Sequence, residues 1–146
     1  LTVLILILQI NFPSIMFFGN YPINLNLFLI YFTFLSLMTG SYKLIFYAFL
    51  YGLILDAIIS VDQIGLSSFI MSLSVFFLLS IKNYENLWSL KMKYFNIFLI
   101  YFFHFLFYYL ILYIDVFSIT LLVSFFQTFF SFSLLLLISN FFIRIK

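Results

Sequence analysis

The chain consists of long apolar runs separated by a few short polar or turn-forming segments. The runs show no regular alternation of polar and apolar side chains, so they favour helices over the strands of a membrane barrel. Asparagine, proline, glycine and charged residues mark the boundaries between runs. The sequence therefore predicts six helices, at about 1–18, 23–39, 42–60, 65–81, 94–114 and 117–143, the first of them interrupted by Asn11 and Pro13.

A polar segment at 82–93, KNYENLWSLKMK, separates the fourth predicted helix from the fifth. It is the longest polar stretch between two predicted helices, and it is too short to fold alone. Tyr84 and Trp88 are residue types that favour the boundary between a membrane and water. We therefore expect this segment to lie at the level of the lipid headgroups.

Composition identifies the solvent of this chain, because 67% of its residues are hydrophobic and only 7% are charged. A soluble domain has about 25% charged residues, so the lipid bilayer is the expected solvent. The N-terminal LTVLILILQINFP lacks the basic start and the cleavage site of a signal peptide, and we expect it to form the first span. The sequence predicts one all-α integral membrane domain over 1–146, a polytopic bundle of six transmembrane helices.

The distribution of charge predicts the orientation of this bundle. With both termini in the cytoplasm, every basic residue falls in a cytoplasmic segment, as the positive-inside rule requires. Asp62 and Asp115 then lie in the outer turns. The net charge of +2 is too small to indicate a nucleic-acid partner. The basic residues are Lys43, Lys82, Lys91, Lys93, Arg144 and Lys146.

The sequence contains no constellation that predicts catalysis. It has no cysteine and a single histidine, His104, which cannot form a metal site alone. It also lacks the paired intramembrane carboxylates and the glycine-rich phosphate loops that other chemistries need. We expect no enzyme activity, no catalytic residue, no cofactor and no metal.

Small and polar residues form stripes on the third and fourth predicted helices, and such stripes allow membrane helices to pack closely. A short turn joins the two helices, so the stripes are expected to meet in a tight hairpin. Two interpretations stay open, helix packing or contact with a partner. The stripe residues are Ala48, Gly52, Asp56 and Ser60 on the third helix, and Gly65, Ser68 and Ser72 on the fourth.

Two further stripes lie on the last two predicted helices. Tyr101, His104 and Tyr108 share a face of the fifth helix. Thr120, Ser124, Gln127 and Ser131 share a face of the sixth. Helix packing and a substrate pocket both stay open for these stripes as well.

Asp56 is an acidic residue inside an apolar helix. It lies about 6 Å below the outer boundary, four residues before the end of the third predicted helix. There it must face protein or water rather than lipid. Ser67 and Ser68 begin the next helix, whose free N–H groups form the positive end of its dipole. We expect the carboxylate to accept hydrogen bonds from those groups, and a partner or ion site is the alternative.

The stretch GLILDAIISVDQIGLSSFIMSL (52–73) resembles the bacterial rod-shape-determining MreD family. That family shows Gly-x-x-x-Asp, a short turn, and then Leu/Ile-Gly at the start of a new helix. Gly52, Asp56, Ile64 and Gly65 occupy these places. The layout of six spans with a basic loop after the fourth is also similar. The chain departs from the family pattern in the short 41–43 connection and in Val61-Asp62-Gln63.

The resemblance implies a non-enzymatic scaffold subunit in the bacterial inner membrane. Members act in the elongation machinery that controls cell shape and lateral peptidoglycan synthesis. The implied partner is the bitopic protein MreC, and through it the polymerase RodA with its transpeptidase and the MreB filament. The resemblance also implies a fold similar to the S components of energy-coupling-factor transporters.

Two alternative functions follow from the same architecture. A vitamin-binding S component would carry an Ala-x-x-x-Ala face on its first span, and the first predicted span here contains no alanine. An ion or lipid transporter would need intramembrane charges on at least two helices, and only Asp56 meets that description. The sequence therefore favours the scaffold.

Overall fold

The computed structural model describes residues 2–11, 15–17, 21–23, 26–59, 64–112 and 117–142. Helices dominate these ranges, and a short β-hairpin follows the first of them. A 3-10 turn, Glu85–Leu87, connects the fourth helix to the fifth. The elements in chain order are α1 (Thr2–Asn11), β1 (Ile15–Phe17), β2 (Tyr21–Ile23), α2 (Leu27–Thr39), α3 (Lys43–Ile59), α4 (Leu66–Asn83), α5 (Leu90–Leu112) and α6 (Phe117–Phe142).

Three of the helices in the described ranges are long and apolar enough to cross a membrane. They are α4, α5 and α6, with mean hydropathies of 1.5, 1.9 and 2.2. Every helix also exposes large apolar side chains, for example Leu4, Met38, Phe46, Phe69 and Phe129. A surface this apolar is unfavourable in water and favourable in lipid. The predicted helical membrane architecture is therefore confirmed in this general form.

The first predicted span, at about 1–18 with interruptions at Asn11 and Pro13, contains a helix over Thr2–Asn11. The helix ends at Asn11, and Ile15–Phe17 pairs antiparallel with Tyr21–Ile23 in a hairpin, with Ile15 opposite Ile23. The sequence supplies the reason, because Pro13 lacks the N–H that a helix interior needs and Asn20 favours a turn.

The second helix begins at Leu27 rather than at 23, because residues 21–23 belong to β2. Asn26 is its N-cap, and the Asn26 side chain accepts a hydrogen bond from Leu29 N–H at 3.0 Å. At the other end, Gly40 adopts a left-handed φ of 61° and donates its N–H to Ser36 O. Glycine is favoured in that conformation, so Gly40 ends the helix.

The polar segment predicted at 82–93 is shorter in the structure, because both flanking helices extend into it. Helix α4 continues to Asn83, and α5 already begins at Leu90. Ser89 starts α5 by accepting a hydrogen bond from Lys93 N–H at 2.9 Å through its carbonyl oxygen. A serine at this position is a common helix start.

Helix α4 lies at the centre of the bundle and packs against α2, α3 and α5, while α6 packs against α5. Its buried side chains include Met71, Val75, Leu78 and Leu79. The tightest association is between α3 and α4, the two helices of the predicted hairpin. This pair positions the residues considered next.

Candidate functional site

Gly52 allows the backbones of α3 and α4 to touch. A Cβ atom at this position would lie 2.3 Å from Ser68 Cα and 2.6 Å from Ser68 N. Real Cβ atoms essentially never approach other atoms this closely. The obstacle is backbone rather than the end of a flexible side chain, so neither helix can yield locally. Glycine is therefore required by the packing of the two helices.

One turn further along α3, Asp56 binds the start of α4. Its Oδ2 atom accepts hydrogen bonds from the N–H groups of Gly65 at 2.9 Å, Ser67 at 3.1 Å and Ser68 at 3.4 Å. Its Oδ1 atom is 3.3 Å from Ser67 N. These are donors that an isolated helix start leaves unsatisfied, and the helix dipole favours an anion there. With 1% of its surface exposed, Asp56 is committed to this contact.

Gly65 sets the backbone conformation at the start of α4 that directs its N–H groups toward Asp56. Its φ of 106° lies in the left-handed region that favours glycine. The Ser68 hydroxyl donates to Gly65 O at 2.8 Å and closes the first turn from inside the helix. The N–H groups of this turn therefore converge on one carboxylate.

The structure brings most of the predicted stripe residues together in the interface between α3 and α4. Ala48, Gly52, Asp56 and Ser68 are buried. Ser72 is half-buried, and its hydroxyl donates to Phe69 O of its own helix at 2.9 Å. Ser60 lies outside the described residues. Because the packing of α3 on α4 covers Ala48, Gly52, Asp56 and Ser68, these four residues offer no open surface to another chain.

A second polar cluster joins α2, α4 and α5 through His104, which is 6% exposed. Its Nδ1 atom is 2.8 Å from Ser74 Oγ on α4. Its Nε2 atom is 3.1 Å from Asn26 Nδ2 at the start of α2. Ser74 lies about 14 Å along α4 from the helix end at Asn83, close to half of a 30 Å hydrocarbon core. The cluster therefore lies deep in the bundle.

The hydrogen bonds of this cluster define one neutral tautomer of His104. Asn26 Oδ1 accepts from Leu29 N–H, so its Nδ2 group donates to His104 Nε2. Ser74 donates its only hydroxyl proton to Ile70 O at 2.8 Å, so its oxygen accepts from Nδ1–H. Each hydrogen bond of the cluster then joins one donor to one acceptor, as buried polar groups require. His104 is thus a structural link between three helices.

Tyr101 and Tyr108 were predicted to share a face with His104, and the structure separates their roles. Tyr101 is fully buried and donates its hydroxyl proton to Thr33 Oγ1 on α2 at 2.9 Å. The hydroxyl of Thr33 is itself bonded to Leu29 O at 2.7 Å. Tyr108 is half-buried. Through Tyr101 and His104 this face therefore fastens α5 to α2 and α4.

Sequence reasoning missed Asn26 and Gln9, which serve the start of α2. Gln9 Oε1 accepts from Leu27 N–H at 2.7 Å, two residues before Leu29, whose N–H donates to Asn26. An asparagine directly before an apolar run is a recognised helix-start signal. It was overlooked because the second helix was predicted to begin at 23. No local signal identifies Gln9, which acts from another helix.

The polar stripe on α6 is buried as well. Thr120, Ser124, Gln127 and Ser131 have 4% or less of their surface exposed. Ser124 donates to Thr120 O within the helix at 2.7 Å, and Tyr109 of α5 donates to Gln127 Oε1. Small hydroxyl residues of this kind let α6 lie close to α5.

Replacing His104 by leucine is expected to lower the free energy of unfolding by about 1–3 kcal/mol, the cost of leaving a buried donor unpaired. Asn26 Nδ2 loses its acceptor, and Ser74 Oγ loses its donor. Asn96→Leu on the same helix is the matched control, because Asn96 has no hydrogen bond within the part of the chain that the structure describes. Thermal unfolding in detergent should show a lower midpoint for His104→Leu only, and equal midpoints would contradict the assignment.

The segment between α4 and α5 carries the ion pairs of the described chain. Glu85 accepts a hydrogen bond from Lys82 at 2.7 Å and lies 4.0 Å from Lys93. The bond from Lys82 lowers the pKa of Glu85 from its usual value. The stabilisation this pair provides is therefore present above the usual pKa of a glutamate, and it is lost as the pH falls through the lowered one.

Among the described residues, no group of three or more histidine or acidic side chains could hold a metal ion. Comparisons with protein-family models, with curated proteins and with solved structures gave no match to this chain.

Proposed function

We propose that this chain is a non-enzymatic scaffold subunit of a bacterial cell-elongation complex, as its resemblance to the MreD family implies. The observation that carries the proposal is the hairpin of α3 and α4. Gly52, Asp56 and Gly65 carry the sequence resemblance, and the same three residues form the contacts that hold the hairpin together. A motif that specifies a rigid helix pair suits a protein whose task is to present a fixed surface in the membrane.

The proposed topology has six membrane segments with both termini in the cytoplasm of the inner membrane. All basic residues then lie on the cytoplasmic side. Helix α1, at ten residues, covers only about 15 Å, about half of a 30 Å hydrocarbon core. The proposed architecture is similar to that of transporter S components.

The proposed partner is an MreC-type bitopic membrane protein, and association with it is the test of the function. The chain should co-purify in mild detergent with the MreC-type protein encoded in its own genome when the two proteins are co-expressed. A folded chain that elutes alone, with an unchanged unfolding midpoint, would overturn the proposal. An unrelated bitopic protein with one span of equal length is the control for nonspecific association.

The alternative, a vitamin-binding S component, predicts a different result in the same preparation. The purified chain would retain a small polar molecule, and that molecule would raise the unfolding midpoint when added back. Mass spectrometry of the denatured protein distinguishes the two functions, because the scaffold retains no such molecule.

A further inference from the structure

An open groove of about 500 Å³ runs between α4 and α5 on the surface of the bundle. We call it the α4–α5 groove. It extends about 21 Å along α4 from Ile70 to Tyr84. Ser74 and His104 lie in its inner part, and Tyr84 and Trp88 lie at the end near the connecting segment. Its walls are formed mainly by Ile70, Leu73, Phe77, Leu99, Phe103 and Phe107.

The shape and lining of the groove favour an acyl chain over a protein helix. Helices associate in membranes through small residues that let two backbones approach. The groove instead presents bulky side chains, including Phe77 and Phe103, which are each 48% exposed. A narrow apolar channel of this length suits a flexible hydrocarbon chain, because one leaflet of the hydrocarbon core is about 15 Å thick.

Asn96 supplies an independent indication that the groove holds a polar group near the end that Tyr84 and Trp88 line. It lines the groove about 9 Å along α5 from Leu90. Its side chain has no hydrogen bond to any residue that the structure describes, although a polar group in lipid is costly without a partner. Its amide can donate to an ester carbonyl of a lipid whose chain lies in the groove.

The charge of the connecting segment favours an anionic headgroup. Segment 82–93 carries three lysines and one glutamate, a net charge of +2. Lys82 and Lys93 lie beside Glu85 in a neighbouring cavity that shares Ile81 with the groove, and Lys91 is exposed. Tyr84 and Trp88 mark the level at which headgroups lie, and basic residues there attract anionic lipids. We propose that the α4–α5 groove binds one acyl chain of an anionic phospholipid, whose phosphate lies beside the lysines of segment 82–93.

Photocrosslinking in vesicles tests the proposal on the full chain. The protein would be placed in phosphatidylcholine vesicles that contain a trace of a photoreactive probe lipid. The probe carries a diazirine on its acyl chain, and its headgroup is phosphatidylglycerol in one sample and phosphatidylcholine in the other. We expect phosphatidylglycerol to label α4 and α5 groove residues several-fold more than the exposed face of α6. We expect the phosphatidylcholine probe to label the groove much less.

Two serines provide matched variants. Ser80 lines the groove and donates to Phe76 O at 3.0 Å, and Ser133 of α6 donates to Phe129 O at 2.7 Å in the same way. Ser80→Phe fills the groove and should remove more than half of the groove labelling, while Ser133→Phe should leave it unchanged. Asn96→Leu should weaken labelling without lowering the unfolding midpoint, and it carries the test if Ser80→Phe does not fold.

Three results would overturn the proposal. Labelling spread evenly around the bundle would mean that the groove has no bound lipid. Equal groove labelling by the two probes would mean that the lysines select no anionic headgroup. A purified partner protein could also abolish the labelling and form crosslinks to the groove. That result would assign the groove to a protein helix. None of these outcomes depends on the proposed scaffold function.

Discussion

Replacing Gly52 by alanine is expected to destabilise the protein more than any other single-methyl change in the described bundle. Overpacking a well-packed interior costs about 1–3 kcal/mol and occasionally more. The larger end applies here, because the new atom would meet Ser68 Cα at 2.3 Å and the backbone cannot move without separating α3 from α4. Unfolding of the purified variant in detergent, followed by circular dichroism, measures the effect. Gly52→Leu should prevent folding altogether.

The sign of this effect distinguishes packing from helix propensity. Alanine is favoured over glycine in a helix interior by about 1 kcal/mol, so propensity alone would make Gly52→Ala more stable. Ala57→Leu is the control, because Ala57 is exposed on the same helix and its substitution adds more volume. A variant Gly52→Ala at least as stable as the natural protein would contradict the close contact between the two backbones.

Replacing Asp56 by alanine is the second large effect that we expect. The N–H groups of Gly65, Ser67 and Ser68 lose their shared acceptor. Loss of a helix cap costs about 0.5–2 kcal/mol, and each buried donor left unpaired costs about 1–3 kcal/mol. The combined loss should exceed that of an ordinary cap, and it should appear as a lower unfolding midpoint with fraying at the start of α4.

Two further variants define the cause of that loss. Glu85→Ala also removes a carboxylate, but at an exposed ion pair, and should change the midpoint little. Asp56→Asn keeps an oxygen that can accept in place of Oδ2, so it should be milder than Asp56→Ala. Equal midpoints for Asp56→Ala and the natural protein would show that the hydrogen bonds to α4 contribute no stability.

Much of the hairpin of α3 and α4 could be predicted from sequence because its signals are local. The i+4 spacing of Ala48, Gly52 and Asp56 places them on one face of a helix whatever surrounds it. A short connection then restricts which helix that face can meet. The same argument brought Gly65 and Ser68 to the interface, where the structure places them.

The parts that sequence reasoning missed depend on contacts between distant segments. The strands Ile15–Phe17 and Tyr21–Ile23 lie in apolar stretches that favour helices, and Pro13 indicates an interruption of the first span but not the pairing of two strands. The link from His104 to Asn26 joins residues 78 positions apart. The α4–α5 groove depends on how two bulky helix faces diverge, which no local pattern encodes.

The burial of the small stripe changes where a partner should bind. The sequence left open whether Asp56 serves the fold or faces a partner. In the structure its described contacts are all to the start of α4, and Gly52 lies against the backbone of the same helix. We therefore expect the proposed partner to contact other surfaces, such as the exposed faces of α3, α5 or α6.

The central claim is that Asp56 holds the hairpin of α3 and α4 together and takes no part in partner binding. The direct test measures two quantities on Asp56→Asn, its unfolding midpoint and its affinity for a purified MreC-type partner in lipid nanodiscs. We expect a modestly lower midpoint and an unchanged affinity for the folded fraction. A normal midpoint combined with a severe loss of affinity would contradict the claim and assign the carboxylate to a charge-dependent contact with the partner.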